Sequence, residues 1–109
     1  MKKANLELHV KRAIFSSDGK LLGVVEIKIW KVPKDECYPE GYKYSLVFAL
    51  YDYATKSFDG DFLRYDNHRC EGHHKHVKGS KQPYTFEGIE KLLEDFRKDF
   101  EKLLKEVEK

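Results

Sequence analysis

The chain lacks any apolar run approaching the ~20 residues a helix needs to cross a bilayer, which excludes a helical membrane protein. Cysteine occurs only at Cys37 and Cys70, neither in a CxxC pair, so a disulfide framework is excluded. Two thiols are expected, and a bridge gains ground only if the source is hyperthermophilic. Asparagine is confined to Asn5 and Asn67 and glutamine to Gln82, while charged residues reach 37%, the compositional drift of hyperthermophile proteins. Neither sign of charge dominates, and the formal net charge of +2 is too small to argue by itself for a nucleic-acid partner. Internal repeats, low-complexity tracts and linkers are absent. Met1-Lys2-Lys3 runs straight into an alternating pattern rather than a signal peptide, so the expected location is the cytoplasm.

What remains is enough to fold. With 109 residues, 40% hydrophobic and 14% aromatic, the chain fits one domain, 1–109, around one modest core. Leu6, Leu8 and Val10 alternate with polar neighbours and predict a first strand ending near Phe15. Ser17-Asp18-Gly19 is a hairpin turn signal. A second strand follows over 21–32, with Val25, Ile27 and Ile29 on one face and Glu26, Lys28 and Trp30 on the other.

After a loop over 33–41, Tyr44, Leu46, Phe48 and Leu50 mark one face of a third strand, and Asp59-Gly60-Asp61 reads as the next turn. A fourth strand over 62–67 sets Phe62, Arg64 and Asp66 against Leu63 and Tyr65. Gly72 and Gly79 bracket a short fifth strand containing His73 to Val77. Ile89, Leu92, Leu93, Phe96, Phe100, Leu103, Leu104 and Val107 then recur at helical spacing, with Thr85 as N-cap. Short links favour antiparallel neighbours. The expected fold is α+β: a meander of four to five antiparallel strands, one face covered by a long C-terminal amphipathic helix.

Chemistry concentrates between Arg64 and Lys81. The basic residues there are Arg64, Arg69, Lys75, Lys78 and Lys81 against Asp66 and Glu71, and four of the five histidines, His68, His73, His74 and His76, share the stretch. On a strand His74 and His76 point to one side, where two imidazoles suit either metal binding or acid–base work near neutral pH. The plainer alternative is a polar pair on an exposed edge. Arg64 and Asp66 share a strand face in the same way, the guanidinium suited to phosphate and the carboxylate to orienting a histidine, or else the two form a simple surface ion pair.

Asn67 and His68 follow where the strand ends. Lys43, between Tyr42 and Tyr44, offers a phosphate contact beside rings that stack on bases or merely fill the sheet. Glu26 is a carboxylate on the Trp30 face, for a site or for solvent. Cys70, His73, His74 and His76 would make a zinc site only if further ligands came from elsewhere.

Taken together, GYKYSL at 41–46, RYDNH at 64–68, GHHKHVKG at 72–79, then PYTF and LLEDFRKDF, resemble the TumE toxin family in order and spacing. The resemblance covers the chain from about the second strand to the helix. It implies the toxin half of a two-gene module, an RNA substrate cleaved as by a ribonuclease, and a helix-turn-helix antitoxin partner. It places Arg64, Asp66, Asn67, His74 and His76 in the site, with Lys43 and His68 as additions, while His73 is at a variable position and Cys70 lies outside the pattern.

Metal-free cleavage would use His74, His76 and Arg64; a metal-assisted version would hold a divalent ion on His74, His76 and Asp66, with Glu26 as a further carboxylate. The sequence does not decide between them, no cofactor other than that divalent ion is indicated, and a homodimer is left open. The competing reading is a non-catalytic nucleic-acid- or partner-binding domain that uses the His-rich patch over 64–81.

Overall fold

The computed structural model describes residues 4–108, the side chain of Arg69 excepted. Met1-Lys2-Lys3, and the contribution of Arg69 to the basic segment, lie outside the described residues. Strands β1 (Asn5–Phe15), β2 (Leu21–Lys31), β3 (Tyr42–Asp52), β4 (Ser57–Asp66), β5 (His74–Val77) and β6 (Ser80–Pro83) precede helix α1 (Ile89–Val107). They form one six-stranded antiparallel sheet in sequence order, the expected meander with one strand more than expected. The extra strand, β6, is Ser-Lys-Gln-Pro and exposed throughout, so it has no apolar face for an alternation argument to detect. It exists because Lys78 and Gly79, at φ 51° and 83°, turn the chain tightly back onto β5.

Two irregularities move side chains from the faces that strict alternation assigns. A register shift between Leu6 and Leu8 places Leu6 opposite Trp30, where it is 53% exposed, while Leu8 packs beside the core. Asp59-Gly60-Asp61 is not a turn but part of β4, at a second register shift opposite β3. The reversal comes earlier, at 53–56, where Asp52 Oδ1 accepts the Ala54 N–H at 2.9 Å and Lys56 adopts φ 56°. The extra residues at Gly60 act as a bulge. Phe62 consequently packs on Phe48, with ring centroids 5.8 Å apart, instead of sharing a face with Arg64 and Asp66.

The core lies between one face of the sheet and α1. Ile29, Tyr44, Leu46, Phe48, Leu63 and Tyr65 meet Leu92, Phe96 and Leu103 there, and Phe100 stands edge-on to Phe48. Polar contacts pin the same interface: the Tyr65 hydroxyl donates to Asp99 at 2.5 Å and Lys75 Nζ reaches the same carboxylate at 3.1 Å. Burial and the Asp99 charge both push the Tyr65 phenol up, which keeps it a neutral donor. The helix begins later than expected. Its N-cap is Gly88, at φ 106° and without a side-chain cap, and Thr85 lies in the irregular segment before it. Among the described residues no helix is long and apolar enough to cross a membrane.

Cys37 and Cys70 are joined in a disulfide, which overturns the expectation of two thiols. The loop between β2 and β3 folds over the end of β4, a juxtaposition across 33 residues that spacing could not reveal. The bond also removes Cys70 from any zinc site. It anchors a single 3-10 turn, His68–Cys70, beside the segment that carries the histidines.

Candidate functional site

The face of the sheet turned away from α1 collects the polar side chains. Register sets them in rows: Lys28, Ser45, Asp66 and His74 lie across β2 to β5, and Glu26, Val47, Arg64, His76 and Lys81 lie in the adjacent row out to β6. The HHKH run is thereby divided. His74 and His76 face the open side, whereas His73 and Lys75 face the helix side. His73 is held there as a structural residue: Nδ1 contacts the Tyr44 hydroxyl at 2.8 Å, Nε2 contacts Glu40 at 3.0 Å, and its ring stacks on Phe86. Splitting His73 from its neighbours also removes the four-residue zinc arrangement with Cys70.

Arg64, Asp66, His74 and His76 converge in a cleft of about 340 Å³, whose remaining walls are Asp61, His68, Glu71 and Lys81. Asp66 is its centre and is only 4% exposed. Its Oδ1 lies 2.8 Å from His74 Nε2, and its Oδ2 lies 2.8 Å from Arg64 Nε. The Arg64 N–H is aimed too obliquely to count as a hydrogen bond, so that pairing is one of charge. A terminal nitrogen of the same guanidinium reaches Asp61 at 3.4 Å. His74 is buried, with Nδ1 3.2 Å from the Gly72 carbonyl oxygen. His76, half-buried, stands edge-on to His74 with ring centroids 5.3 Å apart.

These contacts bear on what the group can do. Ligand atoms of Asp66, His74 and His76 lie within 4.8 Å of one another, a two-histidine, one-carboxylate donor set of the kind transition metals accept. Both ring nitrogens of His74 already face oxygen acceptors, however, and the Arg64 cation abuts Asp66. A metal needs an imidazole lone pair where this arrangement offers N–H directions, and it would meet a fixed positive charge. His76 is the histidine whose ring is left to the cleft.

The other expected site residues divide. Asn67 does not enter the cleft: 1% exposed, it accepts the Tyr44 N–H at 2.9 Å and donates to the Tyr42 carbonyl at 2.8 Å, bracing the end of β3 against β4. His68 lines the cleft, its Nε2 buried without a hydrogen-bond partner. Burial first and then the Lys43 charge hold its imidazole below the ordinary range. Lys43 lies beyond His68 on the same open face, opposite Trp30. Glu26 is turned from the cleft, bound by His9 at 2.9 Å with Lys28 at 3.8 Å. Asp61 was missed because it fell in an expected turn; only its spacing of three residues from Arg64 hinted at the pair.

A larger cleft of about 480 Å³ lies toward the other end of β3, walled by Ser16, Asp18, Leu21, Leu50, Tyr53 and Val107 among others, without a histidine. The smaller, histidine-bearing cleft is the better candidate because its charged groups converge. Against known proteins, the sequence matches the family model described as Toxin TumE over residues 3–104. No curated protein and no solved structure matches it.

Proposed function

The chain belongs to the TumE toxin family, and on that premise we propose that its toxic activity is cleavage of RNA in the cleft of Arg64, Asp66, His74 and His76. The observation that carries this reading is the convergence itself: a guanidinium, a carboxylate that holds it, and two imidazoles share one cleft on the face free of the helix. In this reading the terminal nitrogens of Arg64 bind the scissile phosphate, with Asp66 fixing the guanidinium from behind. His76 takes the proton of the ribose 2′-hydroxyl as its oxygen attacks phosphorus. The bond to the 5′-oxygen breaks, that oxygen takes a proton from a water molecule to which His76 passes the proton it removed, and the products are a 2′,3′-cyclic phosphate and a free 5′-hydroxyl. His74, held between Asp66 and the Gly72 carbonyl, keeps its ring fixed beside the developing phosphorane. The metal-free form is favoured because the orientations of His74 and Arg64 already occupy Asp66.

A toxin of this family implies an antitoxin partner, here proposed to be a helix-turn-helix protein. The test is direct. Purified chain incubated with single-stranded RNA should cleave it, and His76→Ala should abolish cleavage while the melting temperature holds. EDTA should leave the rate intact, and a 2′-deoxy substrate should resist. Full activity in both His74→Ala and His76→Ala would remove the histidines from the mechanism. Salt-sensitive binding with intact RNA would instead favour the non-catalytic domain.

A further inference from the structure

The single tryptophan of the chain is on the wrong face for folding. The core has its own aromatics, Tyr44, Phe48, Tyr65 and Phe96, all on the helix side. Trp30 lies on the opposite face of β2, half-buried, paired across the ladder with Lys43. Lys43 Nζ sits 5.6 Å from the centre of the indole, and the His68 ring lies 6.2 Å from it at a tilt of 60°. His68 is also a wall of the catalytic cleft. Trp30, Lys43 and His68 therefore form a path that ends where Asp66 and His74 begin. By strand spacing and rise, Trp30 is roughly 12 Å from Asp66, within the length of a short single-stranded segment.

The charge along this path selects the occupant. Lys28 and Lys43 flank the indole and Lys11 faces the same side from β1, while Arg64 and Lys81, paired with Asp66 and Glu71, continue the line past the cleft. Among the described residues the one carboxylate on the β2 part of this face is Glu26, which is bound by His9 at 2.9 Å with Lys28 at 3.8 Å, and these contacts hold its carboxyl below the usual range. A flat aromatic between lysines on an open antiparallel sheet suits a base stacked on the ring with its phosphates on the cations. A protein partner would use the exposed Leu6 beside Trp30, but it would have to desolvate those lysines.

We propose that Trp30, Lys43 and His68 form a base-stacking subsite for the single-stranded RNA segment adjoining the scissile phosphate. The identity of the ligand rests on the ribonuclease reading of the cleft. The subsite makes the enzyme select unpaired RNA, because a base already stacked within a duplex cannot lie on the indole.

The indole itself is the reporter. A single-stranded 2′-O-methyl oligoribonucleotide, which lacks the nucleophilic hydroxyl, should bind the full chain and quench its fluorescence saturably. The same sequence as a duplex should bind more weakly. Trp30→Ala should weaken binding of the labelled oligonucleotide, followed by anisotropy, on the order of tenfold, and Trp30→Phe should recover most of that loss. Lys43→Ala should weaken it by a smaller factor and lower the salt dependence. Circular dichroism melting of Trp30→Phe checks the fold separately. In cleavage, the Trp30→Ala penalty should be larger for a long RNA than for a dinucleotide that fills only the cleft. Binding without quenching, wild-type affinity in Trp30→Ala, or no binding at all overturns the subsite. Quenching without cleavage would keep the subsite and refute the ribonuclease reading; cleavage that is lost in His76→Ala yet insensitive to Trp30 would do the reverse.

Discussion

Replacing Asp66 by asparagine tests the centre of the cleft with almost no change in shape. Removing one partner of a buried ion pair typically costs about 3–5 kcal/mol, because the other charge is stranded. Two features of this site lower that figure. The Arg64 side chain is 37% exposed and has Asp61 at 3.4 Å as an alternative partner, so it is not stranded. The new amide also keeps one acceptor oxygen for the His68 N–H, which contacts Oδ1 at 3.5 Å.

The cost should therefore fall near 2 kcal/mol, at the level of a lost charge-assisted contact. For a domain of this size each kcal/mol is worth about 4–8 °C, so the melting temperature should drop by about 8–16 °C. Urea unfolding should show the same loss with an unchanged m-value. Cleavage by the remaining folded protein should fall by about a hundredfold, since Arg64 and His74 lose their common anchor. A double-mutant cycle with Arg64→Ala completes the test. Coupling below about 0.5 kcal/mol, or a melting shift under about 2 °C with full activity, would show that Asp66 does not organise the cleft.

Three other perturbations separate scaffold from chemistry. Cys37→Ser opens a closed loop of 33 residues and should cost about 3–4 kcal/mol of stability in non-reducing buffer, with little further effect when reductant is added; an equal loss in both proteins on reduction would place the effect elsewhere. Asn67→Ala leaves the Tyr44 N–H and the Tyr42 carbonyl without partners in the interior, and should cost about 2–3 kcal/mol in urea unfolding while the folded fraction still binds RNA. His68 gives a pH signature. Because its imidazole is held below the ordinary value of about 6.5, the unfolded chain takes up the proton first as pH falls. Stability is full above that value and declines as pH drops through the window down to the folded value. His68→Gln should flatten that decline between pH 8 and 5, and superimposable slopes in the two proteins would remove His68 as its source.

Period-two alternation made the two faces of β2 to β5 legible, and with them the two pairs that define the cleft. Arg64/Asp66 and His74/His76 follow from strand geometry, and the register of β4 on β5 sets each residue against its counterpart. What alternation could not carry were the places where it breaks. Leu6 and Phe62 changed faces at bulges, and β6 has no apolar residue to announce it. Local chemistry also misled where several placements satisfied it: Asp-Gly-Asp suits a turn but here widens β4, and Thr85 suits an N-cap but precedes the helix. Long-range contacts left no local trace, so the disulfide and the burial of Asn67 were both unreadable.

The division of labour in the HHKH run shows why the site is nevertheless resilient to such breaks. A single strand sends His74 and His76 to the cleft and Lys75 to Asp99 beneath it, so the cleft face is fixed by contacts made on the other side of the same backbone. Slipping β5 by one residue would exchange those environments, setting Lys75 against Asp66 and burying the imidazoles under the helix. Two constraints oppose the slip. The Lys78-Gly79 turn sets the β5–β6 register, and the Lys78 N–H donates to the Phe62 carbonyl at 2.7 Å, tying that turn to β4. The turn that folds β6 back onto β5 thus also helps to hold the histidines opposite Arg64 and Asp66.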